Sequence, residues 1–206
     1  MGSSRRNDTP RRNDKVGYSR ADKANAHARI IRHASRSIRE EGTARPSVAG
    51  LMQRAGLTHG GFYKHFSSRE ELIVESAVAA LADGHEKMQR SAAKNPEDPF
   101  AGIVDDYLSE RHCDDPGGGC ALVTLGADAG RGGTELRAAY ADTVRQYIDL
   151  LTTDGESSDR SAAASSLSTL VGAVLLARAV GDADLSAEIL AAAKSGLLKA
   201  HGSPEN

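Results

Sequence analysis

Apolar residues recur at spacings of three and four from Ala21 almost to the end of the chain. No segment alternates apolar with polar residues or gathers β-branched and aromatic side chains. Such a period gives each segment one apolar stripe to bury against a neighbouring helix and supplies no strand to pair, so the fold is expected to be all-α. Aromatic residues make up only 4% of the chain, with no Trp. The core must therefore come from Ala, Leu, Ile and Val, side chains short enough for close helix-on-helix packing. At 206 residues the chain is long enough for one or two such domains.

The punctuation divides the chain into parts. Residues 1–20 lack apolar periodicity and repeat Arg with Asn, Asp, Ser and Pro, which reads as a disordered basic arm. Its Arg5, Arg6, Arg11 and Arg12 suit either phosphates and a minor groove or a solubilising tail. From Ala21, a helix with Ala24, Ala28, Ile31, Ser35 and Ile38 on one face runs to a stop at Gly42. Ser47 is placed to cap a short second helix carrying Val48, Leu51, Met52 and Ala55. Gly56-Leu57-Thr58 interrupts, and Thr58 suits the cap of a third short helix to about His65. The run Ser67-Ser68-Arg69-Glu70-Glu71 has the form of a capping box opening a long fourth helix to about Ala93. Further helical segments are expected near 99–109, 120–129, 134–152, 161–180 and 185–200. The expected organisation is an arm over 1–20, one helical domain over 21–76 and a second over 77–206.

Charge follows the same division. Residues 1–76 hold 15 Lys and Arg against 8 Asp and Glu, whereas the remainder is net acidic by nine, which the overall charge of -2 conceals. A basic head on an acidic body suits a head that meets a polyanion. Cys113 and Cys120 are too few for a disulfide framework and fit a reducing cytoplasm. Met1 to Arg20 holds no secretory apolar core. The apolar stretch from Leu167 to Val180 is short for a bilayer and contains Arg178, so no membrane association is expected.

Two short helices, one ending near Ala55 and the next starting near Thr58, form a helix-turn-helix. In that arrangement the second helix lies in the DNA major groove and its first residues reach base edges. Those residues are Thr58, His59, Gly60 and Gly61. His59 and the Thr58 hydroxyl carry donors and acceptors, and the glycines permit close backbone approach. Phe62 and Phe66, four residues apart, are expected to lock this helix onto the core. Tyr63 and Lys64 then point outward toward phosphates, joined by His65 when protonated.

The segment SVAGLMQRAGLTHGGFYKHFSSREELIVESA resembles the DNA-binding domain of the TetR family of bacterial repressors. The likeness rests on Ser47, Ala55-Gly56, Phe62-Tyr63-Lys64-His65-Phe66 and Glu71-Leu72 at the family's spacing. The resemblance implies a repressor released from double-stranded operator DNA by a small-molecule effector. It assigns phosphate contacts to Ser47, Tyr63 and Lys64, and the groove to Thr58, His59, Gly60 and Gly61. It also implies a homodimer, in which the last two long helices pair with their copies. Leu167, Leu170, Val171, Val174 and Leu175, then Leu185, Ile189, Ala193 and Leu197, supply stripes of suitable spacing. Gly60-Gly61 departs from the pattern by removing two side-chain readers.

Between Arg111 and Cys120 the sequence admits three readings. His112, Cys113 and Cys120 lack the paired short spacings of a structural zinc site. A flexible glycine loop would let the two thiols meet as a redox switch, but the cysteines are expected to serve as packing. No catalytic arrangement or dinucleotide fingerprint stands at motif spacing, so neither enzyme activity nor a metal or cofactor is expected. An acidic, aromatic-poor second domain suggests a modest apolar pocket. The rival class is an all-helical ligand carrier, which leaves the basic head unexplained.

Overall fold

Residues 19–152 and 157–202 are described by the computed structural model, and among them the chain forms nine α-helices and two 3-10 turns with no strand. All but the last two residues of the expected basic arm, with Arg5, Arg6, Arg11 and Arg12, lie outside the described residues. Helix α1 (Arg20–Glu41) begins one residue early because Ser19 and Asp22 cap it reciprocally. It stops at Gly42, as expected, whose φ of 77° ends the helix. Its inward face agrees with the expected one at Ser35 and Ile38 and departs from it in the first half of the helix. Ala26, Ile30, Ala34, Ser35 and Ile38 are buried, whereas Ala24 and Ala28 are exposed and Ile31 is half-buried. Alanine fits either side of a helix, so a stripe anchored on alanines leaves the rotation open; packing against Met52 and Phe66 selects Ile30.

Helix α2 (Val48–Arg54) and the 3-10 turn His59–Lys64 pack on α1 in a small core that includes Ile30, Leu51, Met52, Phe62, Phe66 and Leu72. Helix α3 (Arg69–Lys94) carries the chain out of that core: Leu72 belongs to it, and Ile73 already belongs to the larger second core. The expected capping box at its start is spread over two serines. Ser68 accepts the Glu71 N–H at 3.1 Å, and the Glu71 carboxylate reaches past it to the N–H of Ser67 at 2.6 Å.

The second core is enclosed by α3, α4 (Pro99–Tyr107), α6 (Ala121–Arg131), α7 (Thr134–Leu151), α8 (Ser157–Ala179) and α9 (Ala183–His201). Two elements were not anticipated: α5 (Glu110–Asp114) and the 3-10 turn Pro116–Gly118. Both are capped locally, by Ser109 accepting the His112 N–H and by Asp115 accepting the Gly118 N–H. The expected flexible glycine loop is thus an ordered turn. Gly84 lets α3 and α7 meet, since a Cβ there would stand 2.7 Å from the Tyr147 hydroxyl.

The stripes expected to pair with a second copy mostly build the protomer's own core. Leu167, Leu170, Val174 and Leu197 are buried within the chain, and Val171, Ile189 and Ala193 are partly covered. Leu175 and Leu185 remain exposed, together with Leu176. Period alone marks a face as apolar without saying which neighbour covers it. The stretch Arg160–Ala179 is also longer than the sequence reading allowed, being long and apolar enough by length and composition to cross a bilayer. Here it packs against α6, α7 and α9.

Candidate nucleic-acid interface and interior cavity

The reading turn is aimed by hydrogen bonds and aromatic packing. Ser47 caps α2 as expected, accepting the Gly50 N–H at 3.1 Å. At the other end the Leu57 N–H reaches the Met52 carbonyl at 2.9 Å and the Gly56 N–H reaches Gln53 at 3.0 Å. This is a Schellman turn, and it requires the left-handed φ of 72° at Gly56. Phe62 and Phe66, each 2% exposed, stack with centroids 5.6 Å apart, and His27 of α1 stacks on Phe66 at 4.6 Å. His27 in turn meets Glu75 of α3 at 2.6 Å. These contacts fix the rotation of the turn and leave Thr58, His59, Gly60, Lys64 and Tyr63 outward, the last 73% exposed.

Two expectations change at this surface, at Thr58 and at His65. The Thr58 side chain makes no capping hydrogen bond; its carbonyl serves instead, accepting the Gly61 N–H at 2.9 Å. A Cβ on Gly60 would stand in open space and one on Gly61 would make ordinary contact with Met52 and Thr58, so packing imposes neither glycine. His65 is half-buried, and its Nδ1 is buried without a partner. Burial, then the neighbouring His27, Lys23 and Lys64, hold its pKa below the ordinary histidine value, against its expected role as a protonated phosphate contact. The sequence reading missed Arg69, which donates to the carbonyls of Thr43 at 2.8 Å and Ala44 at 3.1 Å and so pins the segment leading into Ser47. Nothing in the sequence signals that contact, because its acceptors are backbone atoms.

A cavity of about 330 Å³ opens between α3, α4, α5 and the turn Pro116–Gly118. It is modest in size, as expected, but its wall is not simply apolar. Lys87, Arg90, Lys94 and Arg111 line it beside Met88 and Ile103. His112 closes one side: its Nδ1–H donates to the Tyr107 carbonyl at 2.6 Å, and its Nε2 accepts the Cys120 N–H at 2.9 Å. That pairing needs the neutral ring, and burial accordingly lowers the His112 pKa.

Cys113 and Cys120 are both free and buried. Their sulfurs have separate partners, Ser186 at 3.9 Å and the Tyr147 hydroxyl at 3.4 Å. Among the described residues no group of three or more His, Cys, Asp or Glu side chains is arranged to hold a metal ion.

Charged contacts tie the cavity wall to α1. Buried Arg39 donates to the Gly117 carbonyl at 2.6 Å and to Asp83 at 3.1 Å. Lys87 donates to the same Asp83 oxygen at 2.7 Å and to the Gly118 carbonyl at 2.8 Å. Helix α6 adds two bonds, Thr124 to the Arg39 carbonyl and the Thr43 N–H to Asp128.

A helix-turn-helix head and an all-helical body, each with its own core, are joined through the long shared helix α3. Residues 30–75 match the family described as "Bacterial regulatory proteins, tetR family". Two Pseudomonas putida proteins, the HTH-type transcriptional regulator TtgR and the probable HTH-type transcriptional regulator ArpR, are each 30% identical over 86 residues. Those matches take in 41% of this chain and span only 40% of the length of either relative. The whole fold is similar to a TetR transcriptional regulator from Chloroflexus aurantiacus, with a TM-score of 0.73 at 21% identity, covering 87% of this chain and 95% of that one. It is also similar to reduced Escherichia coli NemR, with a TM-score of 0.69 at 20% identity over 85% and 97% of the two chains.

Proposed function

We propose that the protein is a cytoplasmic DNA-binding transcriptional repressor that acts as a homodimer and leaves its operator when a small molecule fills the cavity. The observation that carries this reading is the exposed Tyr63-Lys64 pair, held outward by the buried Phe62 and Phe66 on a turn pinned to α1. Ser47, Tyr63 and Lys64 contact phosphates, and Thr58, His59 and the backbone at Gly60 and Gly61 face the groove. Two such heads about one helical turn apart read a near-palindrome. The exposed Leu175, Leu176 and Leu185 on α8 and α9 supply the apolar surface for the second copy. Cys113 and Cys120, buried with separate partners, serve as packing. The protein works by binding and not by catalysis.

Footprinting on DNA from upstream of its own gene tests this. Protection of a near-palindrome at moderate salt, lost in Lys64→Ala, is the expected result. A protein that binds small molecules yet retains no DNA even at low salt would instead be a helical carrier.

A further inference from the structure

Four cations, Lys87, Arg90, Lys94 and Arg111, line the cavity with two carboxylates, Asp106 and Asp115, and Asp115 is already paired to Arg36 of α1 at 2.8 Å. Asp106 alone answers both Lys94, at 3.3 Å, and Arg111. Asp83 alone answers both Arg39 and Lys87. The nearest partner of Arg90 is Glu86 at 3.6 Å, on an exposed face where ion pairs contribute little. The Tyr107 side chain lines the cavity, with its buried hydroxyl beside the Cys120 thiol. Met88 and Ile103 give the same cavity an apolar side. Clustered cations beside an apolar wall match an anion with a hydrocarbon body.

Lys87 gives this cavity a route to the DNA head. Its ammonium is shared between the Gly118 carbonyl and Asp83, and both of those groups are also tied to Arg39 of α1, the first through the adjoining Gly117 carbonyl. A carboxylate entering the cavity competes for Lys87 with a neutral carbonyl and with an already shared carboxylate. Resting on the reading of the chain as an effector-released repressor, we propose that the cavity takes a small organic carboxylate held by Lys87. Its arrival draws Lys87 away from Gly118 and Asp83, and so loosens the turn Pro116–Gly118 from α1.

Calorimetry and thermal melting with matched pairs, octanoate against octanamide and benzoate against benzamide, at fixed ionic strength test the ligand class. The carboxylates bind on the order of tenfold tighter than the amides. Lys87→Gln abolishes the difference, and Lys87→Arg retains it. Asp106→Asn, which releases Lys94 and Arg111, tightens carboxylate binding, a gain that misfolding cannot imitate. Equal binding of acids and amides, or no binding of either at millimolar concentration, would overturn the proposal. In a mobility-shift assay octanoate or benzoate weakens retention of the upstream DNA by the wild type and not by Lys87→Gln. Carboxylate binding that leaves DNA retention intact refutes the coupling through Lys87. Absence of DNA binding in all conditions refutes the repressor reading while leaving the calorimetric result to stand alone.

Discussion

Tyr63 and Lys64 are adjacent residues with no part in the core, so their loss should register in DNA binding and not in folding. Lys64→Ala is expected to weaken binding to all sequences alike and to reduce the salt dependence by about one phosphate contact, measured by titration at several salt concentrations. Tyr63→Phe should cost about 1–2 kcal/mol of DNA affinity, as for a hydrogen bond to a charged group, with the melting temperature unchanged. A fall in melting temperature with intact affinity would place the ring in the core. His112 makes a second residue-scale prediction. Its folded pKa lies below the unfolded value near 6.5, so the unfolded chain takes up the proton first. The stability it contributes is present above about pH 6.5 and is lost as pH falls toward the lowered folded value. Melting curves between neutral and mildly acid pH should show this slope, and His112→Ala should flatten it while lowering stability at neutral pH. The cysteines make a third. With both thiols buried and separately partnered, peroxide should leave DNA binding unchanged in the wild type and in the Cys113→Ser, Cys120→Ser double variant. Oxidant-dependent release confined to the wild type would restore the redox reading.

At the scale of elements, the angle between α2 and the reading turn rests on the Schellman turn at Gly56. Nothing lies within 4 Å of a Cβ added there, so Gly56→Ala meets no clash and tests the backbone alone. The left-handed conformation should then cost about 1–2 kcal/mol, read by denaturant unfolding. DNA affinity should fall further than stability does, because a shift in that angle re-aims Tyr63 and Lys64 together. Of this head, the helices, the Ser47 cap and the two phenylalanine anchors were legible in the sequence, since each depends on residues within four positions. The rotation of α1 was not, because its alanines fit either face and the choice falls to Met52 and Phe66 across the core. Helix α5 and the turn after it were hidden for a related reason. Their glycines read as a loose loop until Arg39 and Lys87, from distant helices, are seen to hold two successive carbonyls.

For the whole molecule, the proposed dimer rests on the residues of α8 and α9 that the chain itself leaves uncovered. Leu175 and Leu176 are 50% and 55% exposed, unusual for leucines on one stretch of helix. Leu176→Glu should yield a folded monomer by sedimentation, with weakened operator binding because one head reads only one half-site. The same substitution at buried Leu170 should unfold the protein instead, which separates the interface from the core.

Local spacing sufficed for the longer helices, the Ser47 cap, the helix-turn-helix and the outward set Thr58, His59, Gly60, Tyr63 and Lys64, because caps and the 3.6-residue period act over a single turn of chain. Which stripe of α8 turns inward, how the cations of α3 and α5 gather around one cavity, and how Asp83 is shared between Arg39 and Lys87 were decided only by the tertiary structure. Each of those depends on side chains that lie far apart in the chain. A period of three and four marks a surface as apolar or charged, but only the packed neighbour says what that surface meets.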